Sequence, residues 1–237
     1  MSCEAVVCND TGGGGIQEVY RRGEDRDRED GGADLCGCKE AGVQAMTEEV
    51  KVVGRAEHKF TGAMKFFKLN LRDKLVLDIG SSTGGFTEAS LRMGARKVIA
   101  VEKGTRQMKA PLRFDPRIDL HEKTDIFDFE LAYADRPDVI VADVSFVSLV
   151  KVLKYAKRHL ARKDTEFLVM LKPQFEARPW QLQNGILKNN KIRREIIVNF
   201  EAALKQNGFY IAAKKDNDLA GRFGNVERFY YLRLAKA

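Results

Sequence analysis

The sequence predicts an α/β fold: an open, doubly wound sheet of seven strands, mostly parallel, with helices on both faces and a C-terminal antiparallel hairpin. Three observations lead to it. Short bulky apolar runs alternate with longer stretches whose apolar residues recur at helical spacing. Leu75–Ile79 breaks into Gly80-Ser81-Ser82-Thr83-Gly84-Gly85 and resumes with helical periodicity at Phe86, which reads as strand, tight turn and helix. The last two apolar runs, 209–213 and 228–234, flank a polar stretch containing Gly221 and Gly224 and close most economically as a hairpin.

In chain order, Phe60, Met64 and Phe67 stand at i, i+4 and i+7 of a helix over Arg55–Phe67, with Lys59, Lys65 and Lys68 among its polar positions. Leu75–Ile79 is short and bulky enough for a buried parallel strand. The helix after it runs through 88–93 and is capped by Gly94. Residues 97–101 form a second buried strand ending at Glu102, and 118–121 a short third. Ile126-Phe127-Asp128-Phe129 looks like the entry to a helix with Asp125 before it. Pro137-Asp138 introduces a fourth strand, 139–142, ending in Asp143. Residues 147–160 read as an amphipathic helix with Val150, Leu153, Tyr155 and Ala156 inward and Lys151, Lys154, Lys157 and Arg158 outward. The fifth strand, Glu166–Leu171, ends in Lys172-Pro173. Residues 177–187, with Trp180 and Gly185, make a loop long enough to act as a lid or substrate contact. A basic helix over 188–207 follows, apolar at Ile192, Ile196, Phe200, Ala203 and Leu204 and capped by Gly208.

A chain of 237 residues has room for one such domain, expected over 46–237, and an extension. Residues 1–45 hold all four cysteines, nine of the twenty glycines and the charge-dense run Arg21–Asp30, a composition that builds no core and reads as a disordered, low-complexity extension. The cysteine spacings Cys3-x4-Cys8 and Cys36-x-Cys38 are not those of a zinc knuckle, so no metal is expected. Met46 looks like a natural chain start, and the segment before it like an over-extended reading frame. No apolar run approaches the ~20 residues of a membrane span, and the N-terminus lacks the basic-then-apolar order of a secretory signal, so a soluble cytoplasmic protein is expected. The net charge is +7, but residues 46–237 carry 36 bases against 24 acids, a balance that suits a polyanionic partner such as nucleic acid.

The glycine turn is not the dinucleotide fingerprint, because Gly80 is followed by Ser81 and Ser82 and an acid, Asp78, stands two residues before it. An acid there repels a pyrophosphate and suits a cationic ligand, for which S-adenosylmethionine, with its ammonium and sulfonium, is the candidate. Glu102 lies 24 residues on, where a strand-end carboxylate can accept bonds from both ribose hydroxyls of an adenosine cofactor; it can equally be a solvated strand-end acid. Asp125 can meet an adenine amino group or serve only as a helix N-cap. Asp143 ends a parallel strand and so points into the same crevice as Asp78 and Glu102. Lys172, at the end of a buried strand and fixed by Pro173, faces the cleft with part of its hydration removed, which suits a base. The loop between the last strands returns Glu227 to the sheet.

Over 52–234 the sequence resembles the hemolysin-A-like branch of the FtsJ-type RNA 2'-O-ribose methyltransferases. Five segments in family order carry the likeness: Arg55-Ala56-Glu57-His58-Lys59, Leu77 to Thr87, Asp143-Val144-Ser145-Phe146, Lys172-Pro173-Gln174-Phe175-Glu176-Ala177 and Gly224-Asn225-Val226-Glu227. The resemblance implies a Rossmann-like methyltransferase fold and a Lys-Asp-Lys-Glu tetrad on Lys59, Asp143, Lys172 and Glu227. In it Lys172 would deprotonate or hydrogen-bond a ribose 2'-hydroxyl, Asp143 and Glu227 would hold that lysine, and Lys59 would stabilise the developing oxyanion. It also implies that S-adenosylmethionine sits on the turn of Gly80, Ser81, Ser82, Thr83, Gly84, Gly85 and Phe86, with its ribose on Glu102, its adenine near Asp125 and its ammonium near Asp78. The implied partner is structured RNA, most plausibly ribosomal RNA or a ribosomal subunit.

Two features depart from that family. Its members usually carry a small ribosomal-protein-type RNA-binding domain before the methyltransferase, and residues 1–50 contain nothing resembling it. The family's glycine-rich stretch after Lys-Pro-Gln-Phe-Glu is altered here to Trp180-Gln181-Leu182-Gln183-Asn184-Gly185. A non-catalytic RNA-binding or ribosome-assembly factor on the same scaffold is the alternative. A nicotinamide oxidoreductase ranks third, since the glycine spacing is wrong for it.

Overall fold

The computed structural model describes residues 54–219, 221 and 224–235. The expected extension of 1–45, its cysteines and the chain start at Met46 lie outside the described residues. Among the described residues seven strands form one sheet in the order β3-β2-β1-β4-β5-β7-β6. They are β1 (Leu75–Ile79), β2 (Lys97–Glu102), β3 (Ile118–Glu122), β4 (Val139–Ala142), β5 (Glu166–Leu171), β6 (Phe209–Asp216) and β7 (Arg228–Leu234). The first five pair in parallel, while β7 runs antiparallel between β5 and β6, so the doubly wound sheet and its closing hairpin are as expected. The helices are α1 (Arg55–Phe67), α2 (Gly85–Arg92), α3 (Ala110–Arg113), α4 (Leu149–His159), α5 (Pro173–Glu176) and α6 (Asn190–Gln206). None of the described helices is long and apolar enough to cross a membrane.

The two-residue alternation of strands divides the core into two layers. Val76, Val98, Val139, Val141, Leu168 and Met170 face one side and pack with Phe60 and Met64 of α1 and Phe86 and Ala89 of α2. Leu77, Ile79, Ile140, Ala142, Phe167 and Val169 face the other and meet Leu149, Val152, Leu153 and Ala156 of α4 and Ile197, Phe200 and Leu204 of α6. Each such large side chain contributes about 1.5–3 kcal/mol on full burial. The inward stripe of α4 is thus centred on Leu149 and Val152, with the expected Val150 and Tyr155 only half-buried at its edges. Residues 126–129 form one 3-10 turn, Ile126–Asp128, and no longer helix, because Phe129 is already extended with ψ of 123°.

All five parallel strands end on the same edge, which therefore collects the segments after Ile79, Glu102, Ala142 and Leu171. That edge is where open α/β sheets bind ligands.

Candidate active site

The turn after β1 is built to press backbone against backbone. Gly80 has φ of +81°, and a Cβ there would lie 3.0 Å from the carbonyl oxygen of Asp143. The amides of Gly80 and Ser81 both donate to Val101 O, at 2.9 and 3.2 Å, which ties the turn to the end of β2. Glu102 completes the tie, accepting from the amides of Ser82 at 2.9 Å and Gly104 at 2.7 Å. It is neither free nor simply solvated: it shapes the loop and lines the cavity beside it.

That cavity measures about 630 Å³, within the usual range for a small-molecule site. Gly80, Ser82, Glu102, Asp125 and Asp143 line it, so four of the residues expected to hold the cofactor and one of the tetrad meet there. Asp125 lines the cavity and is an N-cap accepting from Phe127 N–H at 3.1 Å; the bond from Lys103 at 2.8 Å, with that from Phe127, holds its carboxyl below the usual carboxylate range. Ile126, Phe127, Val144 and Phe146 supply apolar walls that the sequence reading missed. Phe146 is 91% exposed, has φ of +62° and sets its ring 4.9 Å from that of Phe175.

A second cavity of about 410 Å³ shares Ser82 and Asp143 with the first. Lys59, Asp143, Lys172 and Glu227 all line it, together with Thr83, Gly85, Glu88 and Lys109. The tetrad gathers as two ion pairs. Lys172 Nζ lies 2.6 Å from Asp143 Oδ1 and donates to Ser145 Oγ at 2.9 Å. Lys59 Nζ lies 2.6 Å from Glu227 Oε2. The expected arrangement, with Glu227 holding Lys172, is corrected here: Glu227 holds Lys59. Lys59 is not on a solvated helix face either, being 8% exposed, because its position on α1 turns it under the sheet edge toward Glu227, itself 4% exposed.

Of the other expected cofactor residues, Asp78, Ser81, Gly84 and Phe86 line neither cavity, whereas Gly85 lines the second. Asp78 is fully buried, on the same strand face as Val76, where its Oδ2 accepts from the Thr87 hydroxyl at 2.6 Å. Its Oδ1 has no hydrogen-bond partner among the described residues, and neither has the buried Ser81 hydroxyl. Burial pushes the Asp78 carboxyl up to about 7, helped by the charges of Asp143 and Glu102 and opposed by the hydroxyl and amide of Thr87. The side chain of Phe86 is in the core, its ring 4.6 Å from that of Phe60. Gly84 and Gly85 admit neighbouring side chains: a Cβ on Gly84 would lie 2.5 Å from Leu112 Cδ1, and one on Gly85 2.8 Å from Ala56 Cβ.

The loop 177–187 is anchored at its far end by Asn225, whose Oδ1 accepts from Leu187 N–H at 2.9 Å and whose Nδ2 donates to Gly185 O at 3.1 Å. Asn225 stands in the segment that carries Glu227, a link the motif alone did not reveal.

The chain is similar to several known proteins. A 16S/23S rRNA (cytidine-2'-O)-methyltransferase TlyA of Mycobacterium tuberculosis is 36% identical over 183 residues, covering 76% of this chain and 68% of the relative. Hemolysin A of Brachyspira hyodysenteriae is 34% identical over 186 residues, covering 77% of each. A structure described as a hemolysin from Lactococcus lactis superimposes with a TM-score of 0.73 at 34% identity, over 78% of this chain and 89% of that one. Residues 52–232, which carry both cavities and the whole tetrad, match the FtsJ-like methyltransferases, and the chain belongs to that family.

Proposed function

We propose that this chain transfers the methyl group of S-adenosylmethionine to a ribose 2'-hydroxyl of structured ribosomal RNA, in the cytoplasm, through a domain spanning 46–237. One observation carries the reading: two cavities, of about 630 and 410 Å³, meet at Ser82 and Asp143, and the second is lined by two lysines each paired with a carboxylate. The relatives named as rRNA methyltransferases and the basic charge of the domain support an RNA substrate.

The larger cavity fits the cofactor. Gly80 lines it and lets the turn lie against the backbone of Asp143, Glu102 and Asp125 offer carboxylates to ribose and adenine, and Phe127 and Val144 offer apolar walls. Asp78, its Oδ1 unpartnered among the described residues, lies behind the turn as a carboxyl that a bound methionine ammonium would draw into its charged form. When bound, the cofactor supplies an electrophilic sulfonium methyl.

The chain's own residues then govern the acceptor. Lys172 Nζ donates to Ser145 Oγ and lies beside the Asp143 carboxylate, which holds the amine toward the ribose oxygen. Lys172 deprotonates or hydrogen-bonds the hydroxyl as the oxygen attacks. Lys59, held by Glu227 with little access to water, presents positive charge to the developing oxyanion, where a low local dielectric strengthens it.

The test is to incubate the protein with labelled S-adenosylmethionine and ribosomal RNA from cells lacking it, and to analyse the nucleosides by mass spectrometry. Label is expected on the ribose 2'-oxygen, with Lys172→Ala slower by about 10²–10⁴-fold while calorimetry shows cofactor binding retained. Absence of ribose label, or undiminished label with Lys172→Ala, would overturn the reading. RNA binding with no methyl transfer would favour the assembly-factor alternative.

A further inference from the structure

Trp180 is the only tryptophan in the chain and is 74% exposed. It sits on a hydrogen-bonded turn. Pro179 opens the 3-10 turn Pro179–Gln181, Arg178 N–H donates to Gln181 Oε1 at 2.8 Å, and Gln181 N–H returns to Arg178 O at 2.9 Å. The Arg178 guanidinium lies over the indole, 5.2 Å from the ring centroid.

The segment that carries this ring is tied at both ends to the stretches of chain that carry Lys172 and Glu227. Ala177 N–H bonds Pro173 O at 3.0 Å, directly after Lys172. Gln183 and Ile186 bridge each other, and Asn225, two residues before Glu227, holds Gly185 and Leu187. Whatever docks on Trp180 is therefore in register with the second cavity. Its surroundings are also of one sign: residues 177–194 contain five bases and no acid. Arg178, Lys188, Lys191 and Arg194 are exposed, whereas Arg193 is tied to Asp216 at 2.9 Å.

A fixed, water-facing indole backed by a guanidinium and flanked by cations matches the requirements of an unpaired nucleotide, which offers a π-face and a phosphate. We propose that Trp180 is a stacking platform for an unpaired base of the substrate RNA, distinct from the nucleotide being methylated, with Lys188, Lys191 and Arg194 meeting the neighbouring phosphates. The platform is a positioning element: it sets which ribose reaches Lys172. The inference rests on RNA being the substrate.

Because Trp180 is the sole tryptophan, the unmodified full-length protein reports on it directly. Titration with ribosomal RNA from cells lacking the protein, in the presence of S-adenosylhomocysteine, is expected to quench tryptophan emission in step with binding measured by gel shift. Trp180→Ala should weaken RNA binding about tenfold, raise KM for RNA more than it lowers kcat, and leave cofactor binding by calorimetry unchanged. Trp180→Phe should recover most of the loss. RNA binding without quenching, or wild-type RNA affinity in Trp180→Ala, would overturn the platform while leaving methyl transfer intact. Equal quenching by heparin would overturn base stacking in favour of generic anion binding. Failure of the wild-type protein to bind or label RNA at all would overturn both this inference and the methyltransferase reading.

Discussion

Lys59 and Glu227 stand 168 residues apart in the sequence and 2.6 Å apart in the fold, both buried. This contact joins α1 to the start of β7 and closes one wall of the second cavity. Removing one partner leaves an uncompensated charge away from water, at a cost of about 3–5 kcal/mol. Glu227→Ala is therefore expected to lose stability as well as activity. The double variant Lys59→Met/Glu227→Leu, with no charge left to bury, should recover most of the stability and none of the turnover. Urea denaturation beside a methyl-transfer assay separates the two effects. A double variant as unstable as Glu227→Ala would show that the pair holds the fold through its shape and not its charge.

Asp78 gives the protein a pH dependence whose sign follows from its burial. Its carboxyl is raised to about 7 in the folded chain, against about 3.9 when unfolded. Between those values the folded state binds more protons. The contribution of Asp78 is thus fully present below about pH 4 and is lost as the pH rises to about 7. The loss is on the order of a few kcal/mol. Asp78→Asn keeps an acceptor for the Thr87 hydroxyl but does not titrate, so its stability relative to wild type should rise between pH 5 and pH 8. Urea unfolding of both proteins at the two pH values measures this, and a pH-independent difference would contradict it.

Gly80 controls both cavities at once. Alanine there would have to adopt φ of +81° with its Cβ 3.0 Å from Asp143 O. The strain should cost about 1–3 kcal/mol, and its relief would push Asp143 away from Lys172. Gly80→Ala is expected to weaken cofactor binding in calorimetry and to lower kcat further than weaker binding explains. A variant with normal kcat at saturating cofactor would show that Asp143 tolerates the shift.

These predictions draw unequally on what the sequence displays. The buried strands were legible to the residue in β1 and β5, because strands covered on both faces read as unbroken apolar runs. The tetrad residues were legible as strand-end and motif residues, and the fold brings all four to one cavity. Of their two pairings, Lys172 with Asp143 was anticipated; Lys59 with Glu227 was not, since nothing local in Lys59 indicates a partner 168 residues away. The inward stripe of α4 was misjudged because Leu149 and Val150 are both apolar, and their order does not say which one faces the core. The position of Asp78 could have been read from strand alternation, which sets it on the face of Val76 and toward α2. Phe86 follows a glycine pair and invites a binding role, yet its spacing to Ala89 is that of a core stripe.

Glu176 connects the two loops that meet at the acceptor site. Its Oε1 accepts from the amide of Leu149 at 2.7 Å, capping the first turn of α4 from outside the helix. The loop 143–148, which carries Asp143 and Ser145, runs straight into that turn, and Glu176 lies four residues after Lys172. The carboxylate therefore clamps the segment bearing Lys172 to the segment bearing its partners, and its charge suits the positive end of the helix. Glu176→Ala should cost about 0.5–2 kcal/mol of stability, as loss of a helix cap does. It should also lower kcat several-fold with little change in the KM for RNA, because Lys172 and Asp143 lose their fixed spacing while the RNA-facing surface is untouched. Glu176→Gln, which keeps an acceptor oxygen, should restore most of the turnover. Steady-state kinetics of the two variants at matched stability would decide it, and equal loss in both would assign the effect to charge and not to the clamp.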